Sequence, residues 1–232
     1  MLKFARAAFD IAATLVMLVA GSALLWRMYS DRGPSARPST EDLREVTLAA
    51  ERISNARGDS RLVLIEFGDY ECPFCSRHHE GPGQMITERF VKTGLLQHAF
   101  LNFPLDIHPR AAKAAEAAEC AARQGKFWEM HESLFTDATK LGLTDLLQHA
   151  RDIGLNETQF NACVDNQETA SLVRRDLEEG RRLGVTGTPA FFLGLRRADG
   201  TIDLMKRLDG ALEFAEFEKA IRAFAPKDRA QL

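Results

Sequence analysis

Residues 61–75, RLVLIEFGDYECPFC, run from a nearly continuous apolar stretch, broken only by Glu66, straight into two cysteines separated by Pro73 and Phe74. An apolar run without alternation belongs in the middle of a sheet covered on both faces, so it predicts a central strand. Pro73 suits the first position of a helix, where the missing N–H would have no intrahelical partner anyway. The chain therefore passes from buried strand to helix through Cys72 and Cys75, and its fold must be built round that join.

A thiol at a helix N-terminus faces unpaired backbone N–H groups and the positive end of the macrodipole, which favours its thiolate. The thiolate is the nucleophile of disulfide exchange, and a second thiol one turn on is placed to resolve a mixed disulfide. Two other readings of the pair are a metal clamp and a structural staple. A closed zinc site needs four ligands; the nearby candidates, His78 and His79, follow Cys75 on one short helix, where four ligands cannot converge, so no metal is expected. A bridge closing so short a loop removes little unfolded-state entropy. Both histidines are read as solvated helix residues, either able to tune Cys72 electrostatically. Glu66 is costly as an ion in a covered strand, so it is expected to sit neutral with a raised pKa or to make a strong hydrogen bond. Beneath a dithiol such a carboxyl group does general-base work on the resolving thiol; the plainer reading is a side chain pointing out at the strand end.

LLQHAFLNFPL predicts a second strand. From Pro109 to about Gly184 strand signals vanish: an Ala-rich stretch, FWEMHESLF, TDLLQHARDIG, NETQFNACVDN with an Asn156/Gln159 capping-box pattern, and ETASLVRRDLEEGRRLG all carry helical spacing. Strands return with TPAFFLG and TIDLMKRLDG, and EFAEFEKAIRAF predicts a closing amphipathic helix. EDLREVTLAAERI, before the first strand, is read as a short helix. The order strand, helix, strand, helical block, strand pair, helix describes an α/β sheet domain interrupted by an all-helical insertion. His108 is read as a helix-start residue and Trp128 as core.

The N-terminus differs. After Lys3 and Arg6, Ile11–Trp26 carries no charge and would span roughly 24 Å as a helix, short of a hydrocarbon core of roughly 30 Å. Small residues at Ala20–Ala23 offer a cleavage site, but cutting there would leave Leu24, Leu25 and Trp26 as a greasy terminus. Trp26 and Tyr29 suit an interfacial belt, and an uncleaved anchor is the preferred reading. SDRGPSARPST then reads as a flexible tether. The expected organisation is residues 1–29 as signal-anchor, 30–45 as linker, 46–108 and 185–232 as the sheet domain, and 109–184 as the inserted helical domain. Nucleic-acid binding is not expected: the net charge of the 232 residues is -3, and the Arg-rich run 174–182 is interleaved with acidic residues.

EFGDYECPFC, ECAARQGKFWEMHESLF and GVTGTPAFF, in that order with a helical block between, resemble the DsbA-like thiol:disulfide oxidoreductases of the thioredoxin superfamily. The resemblance covers about Arg61 to Phe224. It implies a thioredoxin fold with an inserted helical domain, Cys72 as exposed nucleophile, Cys75 as buried resolving thiol, and a cis-Pro189 beside them. It also implies that the backbone of Thr188 pairs with the substrate peptide and that Glu66 is the family's buried carboxylate. Periodicity reveals nothing of the Pro189 isomer, and strand initiation is its simpler reading.

The chain departs from oxidising relatives at Phe74, which stands where they carry histidine. Phenylalanine donates nothing to the Cys72 thiolate, so Cys72 is expected in the upper half of the range of roughly 3.5–7 seen for such cysteines. One lost interaction of about 1.4 kcal/mol shifts the couple by about 30 mV toward a less oxidising potential. Cys120 and Cys163, in two helices of the block, either form a structural disulfide worth about 4 kcal/mol by loop closure or remain two buried thiols.

The expected function is an extracytoplasmic dithiol oxidoreductase, tethered at the inner membrane by its N-terminal helix, that donates a disulfide to reduced or misoxidised exported proteins. The resemblance implies reoxidation by a membrane partner of the DsbB or VKOR type, and no diffusible cofactor is needed. The rivals are a reductase or isomerase using the same dithiol, a copper or zinc chaperone, and a redox-inactive thioredoxin-like adaptor.

Overall fold

The computed structural model describes residues 47–49, 53 and 55–225. The expected anchor and tether, residues 1–45, lie outside them. Among the described residues no helix is long and apolar enough to cross a membrane.

Six strands form one sheet: β1 (Thr47–Ala49), β2 (Ala56–Arg57), β3 (Leu62–Gly68), β4 (Gln97–Asn102), β5 (Ala190–Arg196) and β6 (Thr201–Asp209), in the order β1-β6-β5-β3-β4-β2. β3 pairs parallel with β4 and antiparallel with β5. Every residue of β3 is buried, as its unbroken apolar run requires. Val63, Ile65 and Phe67 pack with Leu101, Phe103 and Phe192 on one face. Leu62 and Leu64 pack on the other with Phe90, Phe191, Phe217 and Ile221.

After β3 come α1 (Pro73–His78), a π-helical turn (His79–Gly83), α2 (Gln84–Ile86) and a second π turn (Thr87–Val91). Between β4 and β5 lie only helices: α3 (Ala111–Ala122), α4 (Phe127–Thr136), α5 (Leu143–Asp152), α6 (Glu157–Asp165) and α7 (Ala170–Arg182). Their core gathers Ala114, Ala118, Phe127, Leu134, Phe135 and Phe160 round Tyr70 and Phe100. The Asn156 side chain caps α6 by accepting from Gln159 N–H, while the Asn156 N–H donates to Gln124 Oε1, so half of the predicted capping box forms. α8 (Phe214–Phe224) closes the sheet's second face.

One element departs from the sequence reading. Residues 47–49, expected within a short helix, form β1, antiparallel to Thr201–Asp203. Three residues gain more from a ready-made sheet edge than from one unsupported helical turn, whose nucleation is unfavourable.

The register places the site. β3 leaves the sheet at Gly68, and antiparallel β5 enters with Ala190 opposite Phe67. Thr188 and Pro189 therefore reach the same edge as the loop Asp69–Cys72, though they lie far away in sequence.

Candidate active site

Cys72 is the N-cap of α1 and Pro73 its first residue. The turn is held by Cys72 N–H to Asp69 O at 3.1 Å, and by Cys75 and Ser76 N–H to Cys72 O, each 3.1 Å. Asp69, buried, fixes the loop from below. Its carboxylate accepts from Glu71 N–H and Leu105 N–H, each 2.8 Å, and lies 2.7 Å from His108 Nδ1. Glu71 in turn accepts from the backbone and side chain of Arg110. His108 is thus a partner of the active-site loop, not a helix-start residue, because the loop after β4 folds back over the end of β3.

Both cysteines are reduced. Cys75 is fully enclosed, and Cys72 is only 3 % exposed, so the expectation of an exposed nucleophile is corrected. The peptide bond Thr188–Pro189 is cis, and the Cys72 Sγ lies 3.5 Å from the Thr188 carbonyl oxygen, which covers it. Phe74, 53 % exposed, stands beside it with the Arg77 guanidinium over its ring.

The two thiols are driven apart. Cys72 falls to about 5, chiefly because Cys75 donates to its sulfur; burial opposes this, and contacts from Thr188 and the Cys75 and Phe74 N–H groups add to it. Cys75 is pushed well above its usual value by burial first, then by the proton it shares with Cys72 and by the charges of Cys72 and Glu66. The value for Cys72 lies near the middle of the range of roughly 3.5–7, with the resolving thiol supplying a hydrogen bond that Phe74 cannot.

Glu66 is 3 % exposed, and its charge helps to raise Cys75. Its Oε2 is 3.0 Å from His98 Nε2 and 4.0 Å from His78 Nε2. Burial acts to raise its pKa, while the His78 ring, the His98 hydrogen bond and the His98 and His79 charges act to lower it, and the lowering wins. At neutral pH the bond from His98 is the part that persists, since burial lowers both His98 and His78, the latter to about 4. Of the two expected states the structure thus has the hydrogen-bonded carboxylate.

Sequence reasoning missed His98. Its signal was a lone ring in the apolar run of β4, one pleat from Glu66 on the neighbouring strand: Glu66 pairs with Phe100 and Leu64 with His98, so both side chains share a face. His78 was read as solvated; it is 1 % exposed, packed 4.5 Å from the Phe191 ring and 5.1 Å from that of Phe217. His79, on the next position, pairs with Glu132 at 3.0 Å. Among the described residues no group of three or more His, Cys, Asp or Glu side chains is placed to hold a metal ion. Cys120 and Cys163 are joined by a disulfide inside the helical block, remote from β3 in the topology. Trp128 is partly buried against that core, with Arg57 over its ring at 4.0 Å.

A pair of thiols opening a helix, a buried hydrogen-bonded carboxylate and the Thr188 carbonyl before a cis-proline make a dithiol site on a thioredoxin-like fold. The sequence profile of the family described as Thioredoxin matches residues 57–222, and the chain belongs to that family. Among solved structures, α-DsbA1 of Wolbachia pipientis superposes with a TM-score of 0.64 and 26 % identity, covering 72 % of this chain and 88 % of that one. Oxidised BdbD from Bacillus subtilis shares the fold with a TM-score of 0.61, 22 % identity and coverage of 72 % and 90 %. A curated relative, the Na(+)/H(+) antiporter NhaA 1 of Mycobacterium sp. (strain KMS), is 34 % identical over 194 residues, 82 % of this chain and 31 % of that protein. The chain spans less than a third of the length of such relatives, 22 % for NhaA 3 of Salinispora tropica.

Proposed function

We propose that the protein is an extracytoplasmic oxidoreductase that donates the Cys72–Cys75 disulfide to exported proteins. The observation that carries this is the opposed pair of thiols: Cys72 lowered to about 5 is a good leaving group and Cys75 is a reluctant one. A substrate thiolate attacks Cys72 Sγ, the Cys72–Cys75 bond breaks, and Cys75 leaves as a thiolate that is protonated by way of Glu66, a carboxylate that takes up a solvent proton and passes it on. A second substrate thiolate then attacks the substrate sulfur of the mixed disulfide, and Cys72 departs as the stabilised thiolate. The substrate gains a disulfide and the protein is left as the dithiol.

The extended substrate chain lies along the Thr188 backbone, with the exposed Phe74 ring supplying apolar contact. The Cys120–Cys163 disulfide supports an oxidising compartment. Residues 109–184 serve as an inserted helical domain, the N-terminal segment as a membrane anchor, and a membrane oxidant of the DsbB or VKOR type restores the disulfide.

Equilibration of the purified protein against glutathione buffers, with reactivation of reduced ribonuclease as the companion assay, tests the direction. An oxidising potential with rapid reactivation is expected. A strongly reducing potential with no oxidation of substrate would transfer the protein to the reductase or isomerase class.

A further inference from the structure

Glu66 lines a cavity of about 290 Å3 that neither Cys72 nor Cys75 lines. Glu66, His78, His98, His131, His79 and Glu132 line its inner part, and the exposed Gln84, Glu88 and Lys92 form its outer rim. Neither ring nitrogen of His78 has a hydrogen-bond partner, although the residue is 1 % exposed. Nδ1 of the buried His98 is also unpartnered. Burying such atoms without partners is costly, and the polar cavity beside them has room for several waters that a small movement of either ring would reach.

Gly83 completes the arrangement. It sits in the cavity wall with an ordinary helical φ of -61°. A Cβ there would stand 3.3 Å from His78 Nε2. The absent side chain leaves space beside that nitrogen, which is closed to water at rest and needs only a small shift of the ring to reach the cavity, at the end of a π-helical turn of the kind that often marks functional sites.

The dithiol reaction needs such an opening. Each turnover leaves Cys75 as a thiolate that must be protonated, although its side chain has no exposure of its own. We propose that this proton enters and leaves by the cavity, carried between solvent and the Glu66 carboxylate by His78, with His98 holding the carboxylate in place. The proposal rests on the oxidoreductase reading above. Neutral His78 accepts a proton from the solvent side of the cavity and hands it to the Glu66 carboxylate, and Cys75, as it leaves Cys72, takes it from there, so that His78 and Glu66 both end as they began. In the reverse direction the same proton passes outward. The 4.0 Å from His78 Nε2 to Glu66 Oε2 is closed to a hydrogen bond by a small swing of the ring. The two groups are matched, since His78 at about 4 neither traps the proton nor refuses it from a carboxylic acid. The charged and titratable groups facing them are His98 from β4, His79 from the π turn, Arg57 from β2, and His131 and Glu132 from α4; Phe191 and Phe217, which hold the ring, carry no charge.

The test follows reduction of the oxidised full chain by dithiothreitol in stopped flow across pH 5–9. His78→Phe, which keeps the ring, and Gly83→Ala, which narrows the opening, are expected to slow the step by about tenfold at neutral pH. Both should leave the pH midpoint for Cys72 alkylation unchanged. His78→Ala should be slowed equally and rescued by added imidazole, a small carrier that fits the vacated space, whereas His78→Phe should not be. Rates within twofold of the parent for His78→Phe, with Glu66→Gln slowed, would sink the cavity route while sparing the oxidoreductase reading. If Glu66→Gln is also unslowed, Glu66 passes no proton and both the route and the general-base role of Glu66 fall. A slow His78→Ala that imidazole does not restore would reduce His78 to a packing residue and overturn the proposal.

Discussion

Cys72 and Cys75 lie on the same helical turn, yet each decides the state of the other. The thiol of Cys75 donates to the sulfur of Cys72, so the proton that Cys75 cannot lose is what keeps Cys72 ionised. Iodoacetamide labelling of the reduced protein should therefore rise with pH through a midpoint near 5 and be flat at neutrality. Cys75→Ser, whose hydroxyl keeps a donor in place, should move that midpoint up less than Cys75→Ala does. A midpoint near the ordinary thiol value of about 8.5 would contradict the arrangement. This coupling was only partly legible in the sequence. The spacing of the cysteines and the entry strand announced the dithiol, and Phe74 announced a missing donor. That Cys75 would replace it depends on the rotamers of two buried sulfurs, which no pattern of residue types encodes.

At the scale of elements, the joint between the helical block and the sheet carries two exposed consequences of tight packing. Gly180 lies inside α7, where Ala would be favoured by about 1 kcal/mol on helix propensity alone. A Cβ there would stand 2.5 Å from the Phe103 ring and 3.0 Å from that of Phe67, so the glycine exists to let the helix touch the end of the sheet. Gly180→Ala is expected to destabilise by about 1–3 kcal/mol in denaturant unfolding, against its propensity; a stabilised variant would show the contact to be loose. Nearby, the Asn102 side chain donates to both Glu119 and Asp176, and Asn55 donates to Glu119. Burial first, then the Asp176 charge, raises Glu119 to about 7. Burial likewise raises Asp176.

The sign follows from the raised pKa. The folded state holds this proton where the unfolded chain has lost it, so the contribution is complete below about 4.5 and is lost as pH rises through about 7. Stability should fall by on the order of 3 kcal/mol between pH 5 and pH 8 from Glu119. Glu119→Gln, permanently neutral, should flatten that slope in paired denaturation curves, and an unchanged slope would refute the assignment. The helices that meet here were legible from their spacing. The joint was not, because Asn102, Glu119 and Asp176 come from three elements and read singly as polar surface. β1 escaped for the same reason: its partner strand lies near the other end of the chain. His78 and His79 show the limit most directly, since both were read as solvated and both are covered, His78 by Phe191 and Phe217 and His79 by Phe135 and Glu132, all of them distant in sequence.

For the molecule as a whole, the dithiol makes redox state a term in folding stability. The favourable Cys72 thiolate exists only in the reduced, folded protein; the disulfide has no thiolate, and the unfolded chain has an ordinary thiol near 9.0. A depressed folded pKa contributes stability that is full above the unfolded value and vanishes as pH falls through the folded one. At pH 7, two units above the folded value of about 5, this amounts to on the order of 3 kcal/mol in favour of the reduced fold, or about 60 mV in the couple. The contribution of Glu119 is common to both redox states and cancels from their difference. Thermal or guanidinium unfolding of the two forms at pH 7 should show the reduced protein to be the more stable, with the gap closing at pH 4, where Cys72 is protonated in both the folded and unfolded chain. Cys72→Ser has no couple and no thiolate at this position, so its stability should lack the rise between pH 4 and pH 7 that the reduced parent gains from Cys72. An oxidised form that outlasts the reduced one at pH 7 would mean that closing the Cys72–Cys75 bond stabilises the fold by more than the thiolate does, and a protein of that kind takes electrons from its partner's side of the exchange only reluctantly and works as a reductant.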